Sequence, residues 1–216
     1  MNLVLLAFAA LHLGLLSWSF RWGDNSSARL WLLRTMLFGM FWDNLIVGLG
    51  NWFIDASWYE SANVLRFVLH AGVLPFLLLF TLSIMQSAGI AFAHSLAAKM
   101  VFPLLTVCAL TFGLYHDVYL LELGPKHALG VQKLGSLSGL PPIATIATNI
   151  IMLPLAAWVW RASNWPWFFL GALFIFVLNG ATGSQSWGFI AGNFGEVVFI
   201  VSLLLTEKHF RINRGR

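Results

Sequence analysis

The feature that most constrains this chain is a succession of apolar runs, each about as long as a membrane-crossing helix. A bilayer hydrocarbon core about 30 Å thick takes roughly 20 apolar residues per helix. Runs of that kind occupy 2–20, 30–50, 64–85, 91–115, 142–160, 165–182 and 189–206, which predicts seven crossings. Composition points the same way: of 216 residues, 59% are hydrophobic, 15% aromatic and only 9% charged. Mean hydropathy is +0.82. A soluble domain carries about 25% charged residues, and a soluble fold this apolar could not cover its surface with polar groups. The expected fold is therefore all-α: one polytopic transmembrane helical domain over 1–216, with the lipid bilayer as its principal partner. The expected location is an integral one, in a bacterial inner (cell) membrane or its equivalent.

Charge placement sets an expected orientation. With seven crossings and the N-terminus outside, Arg21, Arg29, Arg34, Arg161, Lys208, Arg211, Arg214 and Arg216 fall on the cytoplasmic side. Only Arg66, Lys126 and Lys133 fall outside, and Lys99 lies near the inner end of the fourth run. Eight cations against three satisfy the positive-inside rule, which favours N-out and C-in. Tryptophans 22, 31, 52, 58, 160, 165 and 187 fall near the expected interfaces, as an aromatic belt requires. The net charge of +4 comes from these flanking residues, so it reads as topology and not as a nucleic-acid footprint. Residues 1–20 lack the basic start and small-residue cleavage site of a signal peptide, so they read as the first crossing. Cys108 is the single cysteine and can form no internal disulfide.

Ionisable groups at membrane depth cost roughly 2.5–3.5 kcal/mol on insertion scales and call for an explanation. Two acids sit there: Asp43 in the second run and Glu196 in the seventh. Asn193 precedes Glu196 by three residues and shares its helix face. Gly188, Gly192 and Gly195 thin the same helix for a close approach. Asn44 and Asn51 flank Gly48 on the second run. Arg66 and His70 are four apart on the third; Arg66 reads as snorkelling to the interface, while His70 sits a turn deeper and suits proton transfer. Pro75 follows His70 by five residues, and Pro154 follows Asn149 by five, so each proline frees a carbonyl beside a polar side chain. Asp43, Asn44, His70, Asn149, Asn179, Asn193 and Glu196 all fall at the middle or outer depth, the condition for a single cavity. Trp42 and Phe194 adjoin the acids in sequence and are candidate walls of that cavity, able to face a cationic intermediate. The alternative reading of the asparagines is as glue between helices.

Several chemistries lack a signature. No glycine-rich phosphate loop, HExxH or CxxC is present. His116, Glu122 and His127, in the connection over 116–141, match no zinc spacing, and with Asp117, Lys126 and Lys133 they read as a solvated external loop. No haem-binding histidine pair or retinal lysine is placed at a useful depth. No metal and no cofactor is expected.

What remains is acid/base chemistry by two carboxyl groups in one apolar setting. One can serve as general acid, while the other stays ionised to take up a proton or face a cation. A layout of about seven short crossings, with one acid in the second (Asp43) and one in the seventh (Glu196), resembles the integral-membrane meroterpenoid (terpene) cyclases, although position 43 is Asp where that family commonly has Glu. In that family a membrane acid protonates an epoxide or terminal alkene of a prenylated substrate, and the polyene then cyclises. The resemblance implies that Asp43 and Glu196 handle the proton and that the partner is a hydrophobic, isoprenoid or lipid-like small molecule. Two other readings fit the same residues: a proton- or cation-coupled carrier or lipid-binding protein, and a lipid-modifying hydrolase or isomerase that adds His70 or His116.

Overall fold

The computed structural model describes residues 1–22, 27–139 and 142–212. Arg214 and Arg216, two of the expected cytoplasmic cations, lie outside the described residues. The helices are α1 (Asn2–Ser19), α2 (Ala28–Phe53), α3 (Tyr59–Val73), α4 (Leu77–Ser87), α5 (Ala91–His94), α6 (Leu96–Leu114), α7 (Ile143–Ser163), α8 (Trp167–Thr182) and α9 (Gly188–Ile212). Six spans are long and apolar enough to cross a membrane: α1, α2, α3 with α4, α6 with the turn that follows it, α7 and α9. The seventh expected crossing, α8, has 16 residues. That is about 24 Å at 1.5 Å per residue, short of a bilayer core.

Local chemistry explains where these helices begin and end. Ser27 and Ser95 cap α2 and α6 by accepting from the amides of Leu30 and Ala98. Pro75 cannot donate an amide hydrogen, and the third run breaks there into α3 and α4 through a 3₁₀ turn, Leu74–Phe76. Pro154, by contrast, is carried inside an unbroken α7. Asn164 ends α7 in the left-handed conformation, at φ 56°.

The helices pack as an up-and-down bundle. Asn2 Nδ2 donates to the Gly48 carbonyl at one end of the α1–α2 pair, and Arg34 donates to Ser19 at the other, so the two run antiparallel. Gly192 lies beside Asn179 and Gly171 against Ser202, which sets α8 antiparallel to α9. A side chain at Gly171 would collide with the Ser202 hydroxyl, so the smallest residue sets this close approach.

One departure from the all-α expectation lies between α6 and α7, in the connection read as a solvated loop. Strands β1 (Leu123–Ala128) and β2 (Val131–Ser136) form an antiparallel hairpin. Its two turn residues, Leu129 and Gly130, both have positive φ, as a two-residue I′ turn requires. Glu122 and His127 are exposed, but Val131 is buried against Leu5 and Val47. Asn51 clamps the turn: its amide donates to Gly130 O at 2.7 Å and accepts from the Gln132 amide at 2.6 Å. The hairpin thus rests on the ends of α1, α2 and α9, and that end of the bundle is called the hairpin side below.

The opposite half holds the main apolar core, with Leu30, Leu33 and Leu37 of α2 packed with Phe80, Met85, Met152, Phe168 and Leu203. Two arginines expected to mark topology are buried at that end. Arg29 pairs with Glu207 of α9 at 2.5 Å and donates to Ser87 Oγ of α4 at 2.8 Å. Arg34 donates to the Ser19 hydroxyl and carbonyl, with its guanidinium 4.0 Å from the Phe20 ring centre.

Candidate functional site

Toward the hairpin side of this core, the bundle holds a partly open cavity of about 90 Å³. Six helices line it, α4 through Leu77. α2 contributes Asp43 and Gly39, α3 contributes Arg66 and His70, and α7 contributes Thr145, Thr148 and Asn149. α8 supplies Asn179, and α9 supplies Glu196 and Phe199. Antiparallel packing of α2 with α3 and of α8 with α9 is what places residues so distant in sequence at one level.

Of the nine residues expected at a site, the structure brings five to this cavity: Asp43, His70, Asn149, Asn179 and Glu196. The other four lie elsewhere. Asn44 is fully buried beside the cavity-lining face, with its amide donating one turn back to the Met40 carbonyl. Asn193 likewise donates to Phe189 O. Trp42 turns toward α3, where its indole N–H donates to the Ala62 carbonyl at 3.0 Å. Phe194 is 48% exposed and packs edge-to-face on Phe174, so it sits on the outer surface of the bundle. Adjacency in sequence to an acid did not place either aromatic ring in the cavity, because successive helical residues point about 100° apart.

Arg66 is the residue that sequence reasoning set aside. It does not snorkel to the interface. Its Nε donates to Asp43 Oδ1 at 2.8 Å, and one terminal nitrogen donates to Asn63 Oδ1 at 2.8 Å and to the Leu134 carbonyl of the hairpin at 3.3 Å. A signal was present: Asn63 and Arg66 are three apart on one helix face, across from an acid on the neighbouring helix. Thr145 and Thr148 were also missed, although with Asn149 they form an i, i+3, i+4 polar stripe.

The two carboxyl groups have contrasting surroundings. Asp43 has a guanidinium partner. Glu196 has Asp43 and Arg66 as the charges acting on it, yet its buried Oε2 meets no hydrogen-bond partner. His70 faces the Thr145 hydroxyl through Nε2 at 3.2 Å. Asn149 donates to the Thr145 carbonyl at 3.1 Å, leaving its buried Oδ1 without a partner. A cavity that holds an unpartnered carboxyl oxygen and an unpartnered amide oxygen offers a guest both a proton donor and a hydrogen-bond acceptor.

Outside the membrane-spanning segments, Lys133 of β2 stands near this group. Burial pushes its amine down to about 8; Arg66 acts in the same direction, Asp43 opposes it, and Lys126 adds to the lowering. Its Nζ lies 4.1 Å from the Phe189 ring centre.

Comparison with family models, with curated proteins and with solved structures finds no match to this chain.

Proposed function

We propose that this chain is a membrane-embedded enzyme that acts on a lipophilic, isoprenoid or lipid-like substrate by acid/base chemistry in the buried cavity. The supporting observation is the contrast between the two carboxyl groups that line it: one ion-paired, one without a partner. A buried carboxyl lacking a countercharge of its own is held at least cost as the neutral acid, which suits Glu196 to donate a proton. Asp43, ion-paired with Arg66, is suited to receive one. Glu196 gives its proton to an alkene, epoxide or carbonyl of the substrate, and the cation so formed rearranges or closes a ring. Asp43 then removes a proton from the product, and transfer from Asp43 back to Glu196 resets the site. No co-reactant is consumed, as an isomerase or cyclase requires. Asn149 and Asn179 orient the reacting group, and Phe199 supplies a wall.

In the same reading α8 makes a seventh crossing by drawing on the turn that follows it. The N-terminus then lies outside, the C-terminus inside, and the hairpin on the outer face of a cell membrane.

The test uses purified protein in lipid nanodiscs with prenylated aromatic substrates and their terminal epoxides. Wild-type protein forms a cyclised or isomerised product, and Glu196→Gln and Asp43→Asn each lower turnover by about 10²–10⁴-fold, the range for a general acid or base. Full activity in both variants would refute the assignment.

One observation favours a second reading, a proton- or cation-coupled carrier. The cavity, at about 90 Å³, is smaller than the roughly 300 Å³ at which small-molecule sites begin. The enzyme reading requires it to hold only the reacting end of the substrate, with the tail lying between helices. Gradient-driven uptake by proteoliposomes, abolished in Glu196→Gln, would favour the carrier.

A further inference from the structure

A buried acid must acquire its proton from water before the first cycle and recover it whenever it stands ionised, and the two ends of this bundle are not equivalent as sources. On the side away from the hairpin, the cavity rests on the apolar core of Leu37, Leu77, Phe80 and Leu203, with the Arg29–Glu207 pair beyond it. The buried histidine of α1, His12, spends Nδ1 on the Phe8 carbonyl of its own helix and meets no partner at Nε2 to hand a proton on.

The hairpin side differs. After α6 the chain makes a π turn, Tyr115–Tyr119, closed by the Leu120 amide donating to the Tyr115 carbonyl at 3.0 Å. Such turns are uncommon and concentrate at functional sites. This one presents His116 and Asp117, neighbours in sequence, as a bonded pair: His116 Nδ1 lies 2.8 Å from Asp117 Oδ1, and both side chains are mostly buried. The imidazole stacks on Phe112, with ring centres 5.6 Å apart and planes 7° apart. A carboxylate only accepts, so the contact places the proton on Nδ1 and leaves Nε2 to exchange. Asp117 thus fixes the tautomer, as an orienting carboxylate does for a working histidine.

The pair also lies beside the cavity. Gly113, one turn before it, packs on Ala71 next to His70. Asp117 is close enough for its charge to act on His70, together with Asp43 and Arg66. His70 in turn lines the cavity with Asp43, Thr145, Asn149 and Glu196.

We infer that the His116–Asp117 pair is a proton relay that connects the aqueous phase on the hairpin side, through His70, to the acid in the cavity. A proton from water binds His116 Nε2 while Asp117 stabilises the imidazolium. It passes to His70 and then to the Glu196 carboxyl whenever that group stands ionised, and His116 returns to its neutral form; within a cycle the proton returned by Asp43 suffices. The inference rests on the acid/base reading of the cavity and extends it to the route of resupply.

The experiment follows the infrared carbonyl band of the neutral Glu196 carboxyl, identified by its loss in Glu196→Gln, after rapid mixing of nanodisc-embedded protein into D₂O. The expected result is that Asp117→Asn and His116→Gln each slow the exchange-induced shift of that band at least tenfold, while its position and intensity at equilibrium stay as in wild type. Both substitutions are close to isosteric, and Glu60→Gln, an exposed acid on the same side, serves as a control with wild-type exchange. Unchanged exchange in both variants would overturn the relay while leaving the acid/base reading in place. Absence of the band in wild-type protein would overturn the reading itself, and the relay with it.

Discussion

Among the described residues the bundle contains two arginine–carboxylate pairs, one buried and one partly exposed, and they differ in what surrounds them. Arg29–Glu207 joins α2 to α9 at 2.5 Å, with side-chain exposures of 8% and 0%. Its surroundings are hydroxyls: Ser27 donates to Glu207 at 2.6 Å, and Arg29 donates to Ser87 at 2.8 Å. Arg66–Asp43 joins α2 to α3 at 2.8 Å, with exposures of 12% and 32%, on the wall of a cavity that also holds Glu196. A pair packed among hydroxyls with no cavity beside it acts as a fastening between helices. A pair beside an unpartnered acid retains capacity to bind and to exchange protons. In the proposed reading, the difference assigns chemistry to the hairpin side and fastening to the other.

Substitutions test that contrast directly. The largest expected effect on stability is at the buried pair. Glu207→Gln removes one charge of a fully buried pair and should cost about 3–5 kcal/mol, measured by reversible unfolding in mixed micelles. A cost below that of Asp43→Asn would break the comparison. The complementary variant, Glu196→Gln, replaces an acid whose oxygen has no partner. It should cost about 1 kcal/mol, the ordinary cost of a substitution, while removing activity, so the two glutamates separate stability from function. A smaller effect is expected at the hairpin clamp. Asn51→Ala deletes two hydrogen bonds to the turn, each worth about 1 kcal/mol. Hydrogen exchange should accelerate over β1 and β2 and stay unchanged in the α2 core.

The smallest effect sharpens the link between hairpin and cavity. With its amine lowered to about 8, folded Lys133 gives up its proton before an unfolded lysine does. The unfolded chain therefore binds more protons between that value and the ordinary lysine range, and this residue's contribution to stability rises with pH across that window. Asp43 acts on Lys133 in the opposite direction to burial, so Asp43→Asn should lower its midpoint further. NMR titration of isotopically dimethylated lysines would show it, with exposed Lys126 as the internal reference. An unmoved Lys133 midpoint would separate the hairpin from the site electrostatically.

Much of this architecture is legible in the sequence because lipid imposes a single rule, that backbone polar groups be satisfied within each crossing. Runs of the required length mark six of the spans, and only α8, shorter than its apolar stretch suggested, falls below the length criterion. The depth of Asp43, His70, Asn149, Asn179 and Glu196 was readable by counting residues from the ends of the runs. Rotation about each helix axis was not, because it is fixed by packing between helices and not by the polarity of one. Hence Asn44 and Asn193, at the correct depth, bond to their own helices, whereas Arg66, read as surface-seeking, turns inward to Asp43. The hairpin was hidden for another reason. Its strands carry lysines, glycines and a proline in place of alternating apolar residues, and they are held by Asn51 from a different element. For Arg29, its pairing with a glutamate 178 positions away was likewise outside the reach of any local pattern.

The central claim is that one cavity holds a neutral acid, Glu196, and an ionised one, Asp43. Infrared difference spectra of wild type against Glu196→Gln and against Asp43→Asn, recorded in nanodiscs near neutral pH, test it most directly. The account predicts that Glu196→Gln removes a protonated carboxyl band and that Asp43→Asn removes a carboxylate band. Loss of a carboxylate band from Glu196→Gln would contradict it.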